Sequence, residues 1–387
     1  MEKHISYCPY RVCPLGAHVD HQLGVVTGFA VDKGVKLTYE ITLDGTVDVV
    51  SKNFEGRCQF NVNKLIERKY IWADYVVSAV WALNHRNTNE QDFATSGIKY
   101  GIRGVVEGNL PIGGLSSSAA VIIAYLNAFA YANEITLSSR ELIALALMAE
   151  REFIGLNVGK LDQSCEVYCK KDRLLYLDTK NDQYSLIKPD ISMGDFDIAI
   201  IFTGKSRKLI SSAYNARVDE CKATAYALKA YAGMEYGKVQ DSYLREIPQS
   251  IYEEYKSKIP YNWSKRADHF FSENDRVRKG VKAWLDGDIR TFGKLVFDSG
   301  YSSIYQYETG SDELKYMYEL MLDAPGIYGG RFSGAGFNGS SIALIEPEAR
   351  EDFIKYMEER YKSHFPQLAK QFEIRICKTA DGVNEIG

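Results

Sequence analysis

A glycine- and serine-rich turn, Pro111-Ile-Gly-Gly-Leu-Ser-Ser-Ser-Ala-Ala120, stands between a predicted strand at about 98–106 and an apolar helix predicted to run to about Ala132. No other stretch constrains the fold as much, because a strand must hand over directly to a helix whose first N–H groups have no partner within the helix. Glycines let the backbone approach an anion closely, and the free N–H groups and the helix dipole both favour negative charge there. Serine hydroxyls can bond phosphate oxygens or Mg²⁺. Gly113, Gly114, Leu115, Ser116, Ser117, Ser118 and Ala119 are therefore candidate phosphate-binding residues. The turn itself holds no Gly-Lys-Ser/Thr, so it is not the usual P-loop. A serine-capped helix after a glycine turn is the plain alternative, but two glycines and three consecutive serines exceed what a cap requires.

Two carboxylates follow at informative places. A Ser138–Glu141 capping box predicts a helix start, and Gly155 predicts its end. Within that helix Glu150 shares an apolar stripe with Ile143 and Leu147. A carboxylate withdrawn from water needs a cation or hydrogen-bond donors, and Mg²⁺ shared with Ser117 or Ser118 answers that need. The plain alternative is a boundary glutamate paired with Arg151 or a lysine. Next comes Asn157-Val-Gly-Lys-Leu-Asp162-Gln163, where Asp162, just after a glycine turn, is placed to accept or orient a substrate hydroxyl proton. Its alternative role is a helix N-cap.

At 387 residues the chain predicts two domains, and 45% hydrophobic residues supply two cores. We place the boundary near residue 190, giving domains 1–190 and 191–387. A net charge of −4 argues against a nucleic-acid or anionic-membrane partner. No apolar run reaches the roughly 20 residues that span a bilayer, and the first residues carry no apolar signal core, so a cytoplasmic location is expected. The seven scattered cysteines read as thiols rather than disulfides; Cys165 and Cys169 lie one turn apart but no second pair completes a metal site.

Along the chain, residues 1 to about 60 read as strands, with the Asp44-Gly45 turn predicting a hairpin between the strand ending at Leu43 and Thr46–Val50. Residues 70–84 have helical spacing. Asp197–Phe202 reads as a strand, the polar, Tyr-rich stretch 222–290 as helices. The last third is expected to hold one more helix, a second glycine-rich turn at 329–339, the strand Ser341–Ile345, and a closing helix and strand.

Three separated motifs then meet one family pattern. Arg11-Val-Cys-Pro-Leu-Gly-Ala-His-Val-Asp20-His-Gln-Leu-Gly24 resembles the N-terminal galactokinase signature, Pro111–Ala120 its central phosphate loop, and Gly330-Arg-Phe-Ser-Gly-Ala-Gly-Phe-Asn-Gly339 its C-terminal glycine motif. The segments Asp323–Gly329 and Tyr214–Cys221 are also galactokinase-like. The resemblance is to the galactokinase branch of the galactokinase, homoserine, mevalonate and phosphomevalonate (GHMP) kinases. It implies an α+β fold of two domains, a mixed-sheet N-terminal one and an α/β-sandwich C-terminal one, with the active site in the cleft between them. It further implies ATP and Mg²⁺, a small-molecule sugar acceptor phosphorylated at its anomeric hydroxyl, and a monomer or weak dimer. By position, Asp162 becomes the catalytic base and Arg11 the stabiliser of the transferring phosphoryl group. Ser117 and Glu150 become metal ligands and Trp72 the adenine platform. Ala17, His18, Asp20, His21, Gly159 and Tyr214 become sugar contacts, and Gly334, Ala335 and Gly336 the core of the C-terminal motif.

Two departures bear on the sugar. Galactokinases carry Glu where this chain has Ala17 and Tyr where it has His21. The family glutamate accepts a hydrogen bond from the C6 hydroxyl, and a substrate carboxylate there would be repelled: like charges ~4 Å apart cost about 4 kcal/mol at an effective dielectric of 20. Ala17 lifts that penalty, and His21, Lys160, Lys205 or Arg207 are candidate cations. Ala-His-x-Asp-His is similar to the plant-type galacturonokinases, so galacturonate is expected ahead of galactose; a pentose or 6-deoxy sugar is the reading if Ala17 merely drops the C6 contact. A non-catalytic sugar sensor on the same scaffold is the rival class, opposed by the intact Ser116–Ser118, Asp162 and Arg11. Homoserine and mevalonate kinases are weaker rivals, since they lack the Arg11–Asp20 signature.

Overall fold

The computed structural model describes residues 2–64, 67–86, 97–110, 115–205, 211–337 and 339–383. Its first half contains β1 (His4–Val12), β2 (Val25–Thr42), β3 (Thr46–Ser51), β4 (Arg57–Asn61), α1 (Asp74–Asn84), β5 (Gly101–Gly108), α2 (Ser117–Ala132), α3 (Ser139–Met148), α4 (Leu161–Tyr168), β6 (Leu174–Asp178) and β7 (Gln183–Ile187). The second half contains β8 (Asp197–Phe202), α5 (Ser211–Tyr231), α6 (Gln249–Tyr255), α7 (Tyr261–Leu285), α8 (Ile289–Tyr305), α9 (Asp312–Leu322), β9 (Ile327–Phe332), β10 (Ser340–Ile345), α10 (Arg350–His364), β11 (Glu373–Cys377) and β12 (Thr379–Ala380).

The first sheet is mixed, in the order β4-β3-β5-β2-β6-β7, with β1 and β12 also on β2; β3 and β5 are parallel and its other pairs antiparallel. A second, antiparallel sheet runs β11-β8-β10-β9. α2 is buried almost all round, as its run of Ala, Val, Ile, Leu and Phe requires, and packs on β1 and β2. The fold is the α+β arrangement expected.

Three local expectations are corrected. The Asp44-Gly45 turn does not close a hairpin: β5 lies between β2 and β3, pairing Thr42 with Gly101 on one side and Asp48 with Arg103 on the other. Glycine makes this insertion possible, since a Cβ on Gly101 would lie 2.1 Å from the Thr46 carbonyl oxygen. Turn chemistry is local and carries no information about a strand that arrives some sixty residues later. The last third holds two helices, α8 and α9, before the glycine motif rather than one, and the start of that motif is the strand β9. Finally, the helix begun by the Ser138–Glu141 capping box widens into a π-helical turn, Ala149–Ile154, before Gly155 ends it at φ +76°.

Candidate active site

Ser116 forms the N-cap of α2 with φ 63°, a left-handed conformation that turns the chain from the loop into the helix. Gly113 and Gly114 lie outside the described residues. Leu115 and Ala119 are buried beneath the turn, while Ser117 and Ser118 line two cavities at once. Ser116 is buried, and its hydroxyl faces the Glu166 carboxylate.

The first cavity is walled by the end of β1 (Arg11, Cys13), the turn Ala17–Asp20, residues 156–162, Tyr214, and residues 331–335 of the glycine motif. Asp162 is the second residue of α4, whose N-cap is Lys160, so capping is not its role. Its Oδ1 accepts a 2.8 Å hydrogen bond from Nε of Arg11. Arg11 is 4% exposed; burial works against its charge, but attraction and hydrogen bonding to Asp162 outweigh this and hold it ionised. Arg11 Nη1 also donates to Ser333 Oγ at 3.4 Å, tying β1 to the glycine motif.

Asp20 faces the same space. Burial, followed by repulsion from Asp162, raises its carboxyl above the ordinary range, while the Leu161 N–H donates to Oδ2 at 3.3 Å. His18 has φ 59° and stacks on Tyr307, with centroids 4.5 Å apart. Its Nε2 is buried without a partner among the described residues, and burial, then Arg331, keep the ring neutral. The Ala17 carbonyl accepts from His269 Nε2 at 2.9 Å, which assigns the proton to that nitrogen.

Beyond Ser117 and Ser118 the second cavity opens, of about 430 Å³ and mostly apolar, with Trp72, Tyr70, Ile71, Phe54, Val121 and Tyr125 among its lining. Trp72 is anchored through Nε1 to the Glu55 carbonyl at 2.8 Å. A small polar cavity joined at a helix N-terminus to a larger apolar one is the shape expected for a polar reactant meeting a phosphate-bearing ligand with an aromatic end.

Residues 74–170 match the family described as GHMP kinases N terminal domain, and residues 278–363 match GHMP kinases C terminal. A galacturonokinase of Arabidopsis thaliana is 36% identical over 404 residues, covering 98% of this chain and 93% of the relative. The chain belongs to the GHMP kinases, in their galactokinase branch. A galactokinase of Thermococcus kodakarensis is 32% identical over 371 residues, covering 95% of this chain and 97% of its own length. The Lactococcus lactis galactokinase solved with galactose superposes with a TM-score of 0.87 at 26% identity, over 100% of this chain and 95% of that one. The protein is thus a phosphotransferase of the sugar-kinase type, with ATP and a small-molecule sugar as its reactants. Among the described residues no helix is long and apolar enough to cross a membrane.

In this GHMP kinase the structure brings Arg11, Ala17, His18, Asp20, Ser116, Ser117, Ser118, Gly159, Asp162, Tyr214, Gly334 and Ala335 to one cavity and Trp72 to the adjoining one. Gly336 is absent from the lining; its φ of +81° shapes the turn instead. Glu150 is 1% exposed and lines neither cavity; it accepts a hydrogen bond from Gln163, the neighbour of Asp162. His21 does not line the cavity. Its Nε2 meets the Tyr307 hydroxyl at 2.9 Å, and burial lowers its pKa to about 3, so it supplies no positive charge. Lys160 pairs with Asp182 and Lys205 with Glu313, while Arg207 lies outside the described residues.

Sequence reasoning missed Cys13, Arg331, Ser333, Tyr307, Glu273 and Glu166. Arg331 sat inside the quoted glycine motif, where a charged residue beside four glycines was the available signal. Glu273 and Tyr307, in α7 and just past α8, carried none. Glu166, one turn beyond Asp162, is fully buried; burial, then Asp162, push its carboxyl well above the ordinary range, against the pull of Arg11 and a hydrogen bond from Ser116.

Proposed function

We propose that this kinase transfers the γ-phosphoryl group of ATP to the anomeric hydroxyl of galacturonate; the name of its 36% identical relative, a galacturonokinase, supports the choice of sugar. The observation that carries the chemistry is the Arg11–Asp162 pair, held at 2.8 Å on the wall that also bears Ser117 and Ser118. The observation that favours a C6 carboxylate is Ala17, which offers the cavity no acidic group at that position.

Asp162 takes the proton of the anomeric hydroxyl as that oxygen bonds the γ-phosphorus and the bond to the departing ADP oxygen breaks. Arg11 is already ionised and in place when charge builds on the equatorial oxygens, so little reorganisation is needed. The α2 N-terminus and its serines hold the phosphates, and Trp72 packs against adenine in the apolar cavity. Asp20 and Tyr214 orient the sugar hydroxyls, with Gly159 allowing the close approach of backbone.

Mg²⁺ fits this site. Among the described residues no cluster of three His, Cys, Asp or Glu is spaced to hold a metal, but Mg²⁺ bound with a nucleotide needs only one or two protein ligands beside the phosphates. Ser117 and the buried carboxylate of Glu150 would be those ligands in our reading. When bound, the ion would supply positive charge that neutralises the nucleotide phosphates.

The split of the strands into one sheet ending at Ile187 and another beginning at Asp197 supports domains 1–190 and 191–387, with β12 returning to the first. Seven buried free thiols support a reducing, cytoplasmic setting, and a monomer or weak dimer remains our assignment. The test is a substrate panel of galacturonate, galactose, arabinose, fucose and N-acetylgalactosamine with ATP and Mg²⁺. We expect galacturonate to give the highest kcat/KM; a higher value for galactose overturns the substrate assignment.

A further inference from the structure

Arg331, on β9, is 1% exposed, yet it lines the sugar cavity beside Cys13, Ala17 and His18. Its hydrogen bonds go to neutral oxygens: Nε to the Phe332 carbonyl at 3.0 Å, Nη1 to Ser299 Oγ at 2.6 Å and Nη2 to Ser303 Oγ at 3.1 Å. A guanidinium has five N–H donors, so two remain uncommitted among the described residues.

The carboxylate that faces it is Glu273, whose Oε1 is 4.0 Å from Nη1. That carboxylate is already heavily engaged. Oε2 takes a 2.7 Å bond from Arg276, while Oε1 accepts from the Gly16 N–H at 2.7 Å, the Ala17 N–H at 3.3 Å and Ser299 Oγ at 2.6 Å. Two guanidinium groups therefore share one carboxylate, and the cluster carries a net positive charge away from water. Such a charge is costly unless an anion completes it. The same Oε1 ties the Ala17 amide to Arg331, so the uncompensated charge stands behind the residue where galactokinases place their glutamate. On the same wall the buried Nε2 of His18 has no partner among the described residues.

Resting on the galacturonate reading above, we infer that Arg331 is the cation that receives the C6 carboxylate of the substrate, with His18 Nε2 bonding its second oxygen or its neighbouring ring oxygen. The substrate anion takes the place of the side chain that Ala17 lacks. Of the cations expected from sequence, His21 is neutral, Lys160 and Lys205 are paired, and Arg207 lies outside the described residues, so among the described residues Arg331 is the one that the cavity wall offers.

The experiment compares galacturonate, its uncharged C6 amide and galactose in the wild type and in Arg331→Gln and Arg331→Lys, with thermal unfolding and ADP binding as checks of folding. In Arg331→Gln the ratio of kcat/KM for the acid over the amide should fall at least about tenfold, chiefly through KM, with Arg331→Lys intermediate. A folded Arg331→Gln protein with the wild-type ratio overturns the inference while leaving the galacturonate assignment standing. A wild type that prefers galactose fails the assignment itself. If neither variant folds, the wild type crystallised with galacturonate decides: a carboxylate within hydrogen-bond distance of Arg331 supports the inference, and a carboxylate on another cation overturns it.

Discussion

Gly159 passes so close to Asp20 that a methyl group on its Cα would lie 1.9 Å from the carboxylate Oδ2. The segment carrying Asp162 is thereby seated on the turn carrying Ala17, His18 and Asp20, and the Leu161 N–H completes the contact at 3.3 Å. Asp162, the base we propose, and Asp20, the proposed sugar-orienting carboxylate, are thus positioned through the same contact.

Gly159→Ala should accordingly displace one or both. We expect kcat/KM for the sugar to fall about tenfold or more, since forced overpacking costs roughly 1–3 kcal/mol. ATP affinity, measured in parallel, should move far less. An alanine variant with unchanged sugar kinetics would show that the turn relaxes freely.

Asp162→Asn removes the proposed proton acceptor and should lower kcat by roughly 10²–10⁴-fold. It also leaves the buried Arg11 guanidinium without its charged partner, so the melting temperature should drop as well. Arg11→Ala should lower kcat more than it raises sugar KM, because its charge matters most as phosphoryl charge develops. Near wild-type kcat in a folded Asp162→Asn protein removes Asp162 from the reaction.

Ala17→Glu places a carboxylate beside Arg331 and the C6 position. The penalty of about 4 kcal/mol for like charges at ~4 Å is an upper guide, and a third of it already costs about tenfold in kcat/KM for galacturonate. Galactose, with a neutral donor at C6, should be helped or left unchanged. Equal loss for both sugars points to a packing defect and refutes the electrostatic account.

Trp72→Ala should raise the KM for ATP by about tenfold, in line with roughly 1–3 kcal/mol for stacking of a base on an aromatic ring. The sugar KM is the control; if it alone changes, Trp72 is not the adenine platform.

The buried histidines should lower stability as pH falls from neutrality, opposed by Asp20 and Glu166, whose raised carboxyls take up protons in the folded chain first. Burial lowers the pKa of His21 from 6.5 to about 3 and that of His269 from 6.5 to about 4. Below pH 6.5 the unfolded chain therefore binds protons that the folded one refuses, and stability is lost progressively towards the folded pKa values. Glu273, lowered from 4.5 to about 2 against its burial chiefly by Arg276, adds a second loss between those two values. Urea unfolding of the wild type and of His21→Gln at pH 7.5, 6.0 and 5.0 reads the first effect; the same pH slope in both proteins contradicts it.

Much of the site was legible in the chain because its parts are local. The Ser116–Ser118 turn, the Ser138–Glu141 capping box and the segment from Gly159 to Asp162 each declare themselves within a few residues, through backbone conformation and hydrogen-bond chemistry that neighbours decide. The alternation of strands and helices is similarly written in periodicity. What the tertiary structure decided is pairing across long separations and the state of charge that follows from it. Sequence placed β3 next to β2, whereas β5 comes between them because Gly101 and Gly104 admit a strand where a side chain would collide with the neighbouring backbone. Sequence also counted His21, Lys160 and Lys205 as available cations; folding buries one as a neutral ring and pairs the others. Arg331 was one positive charge among many until α7, α8 and β9 enclosed it with a single, shared carboxylate. Formal charge belongs to the residue, but its unmet share depends on which oxygens the fold brings within a few ångströms and on how much water it removes.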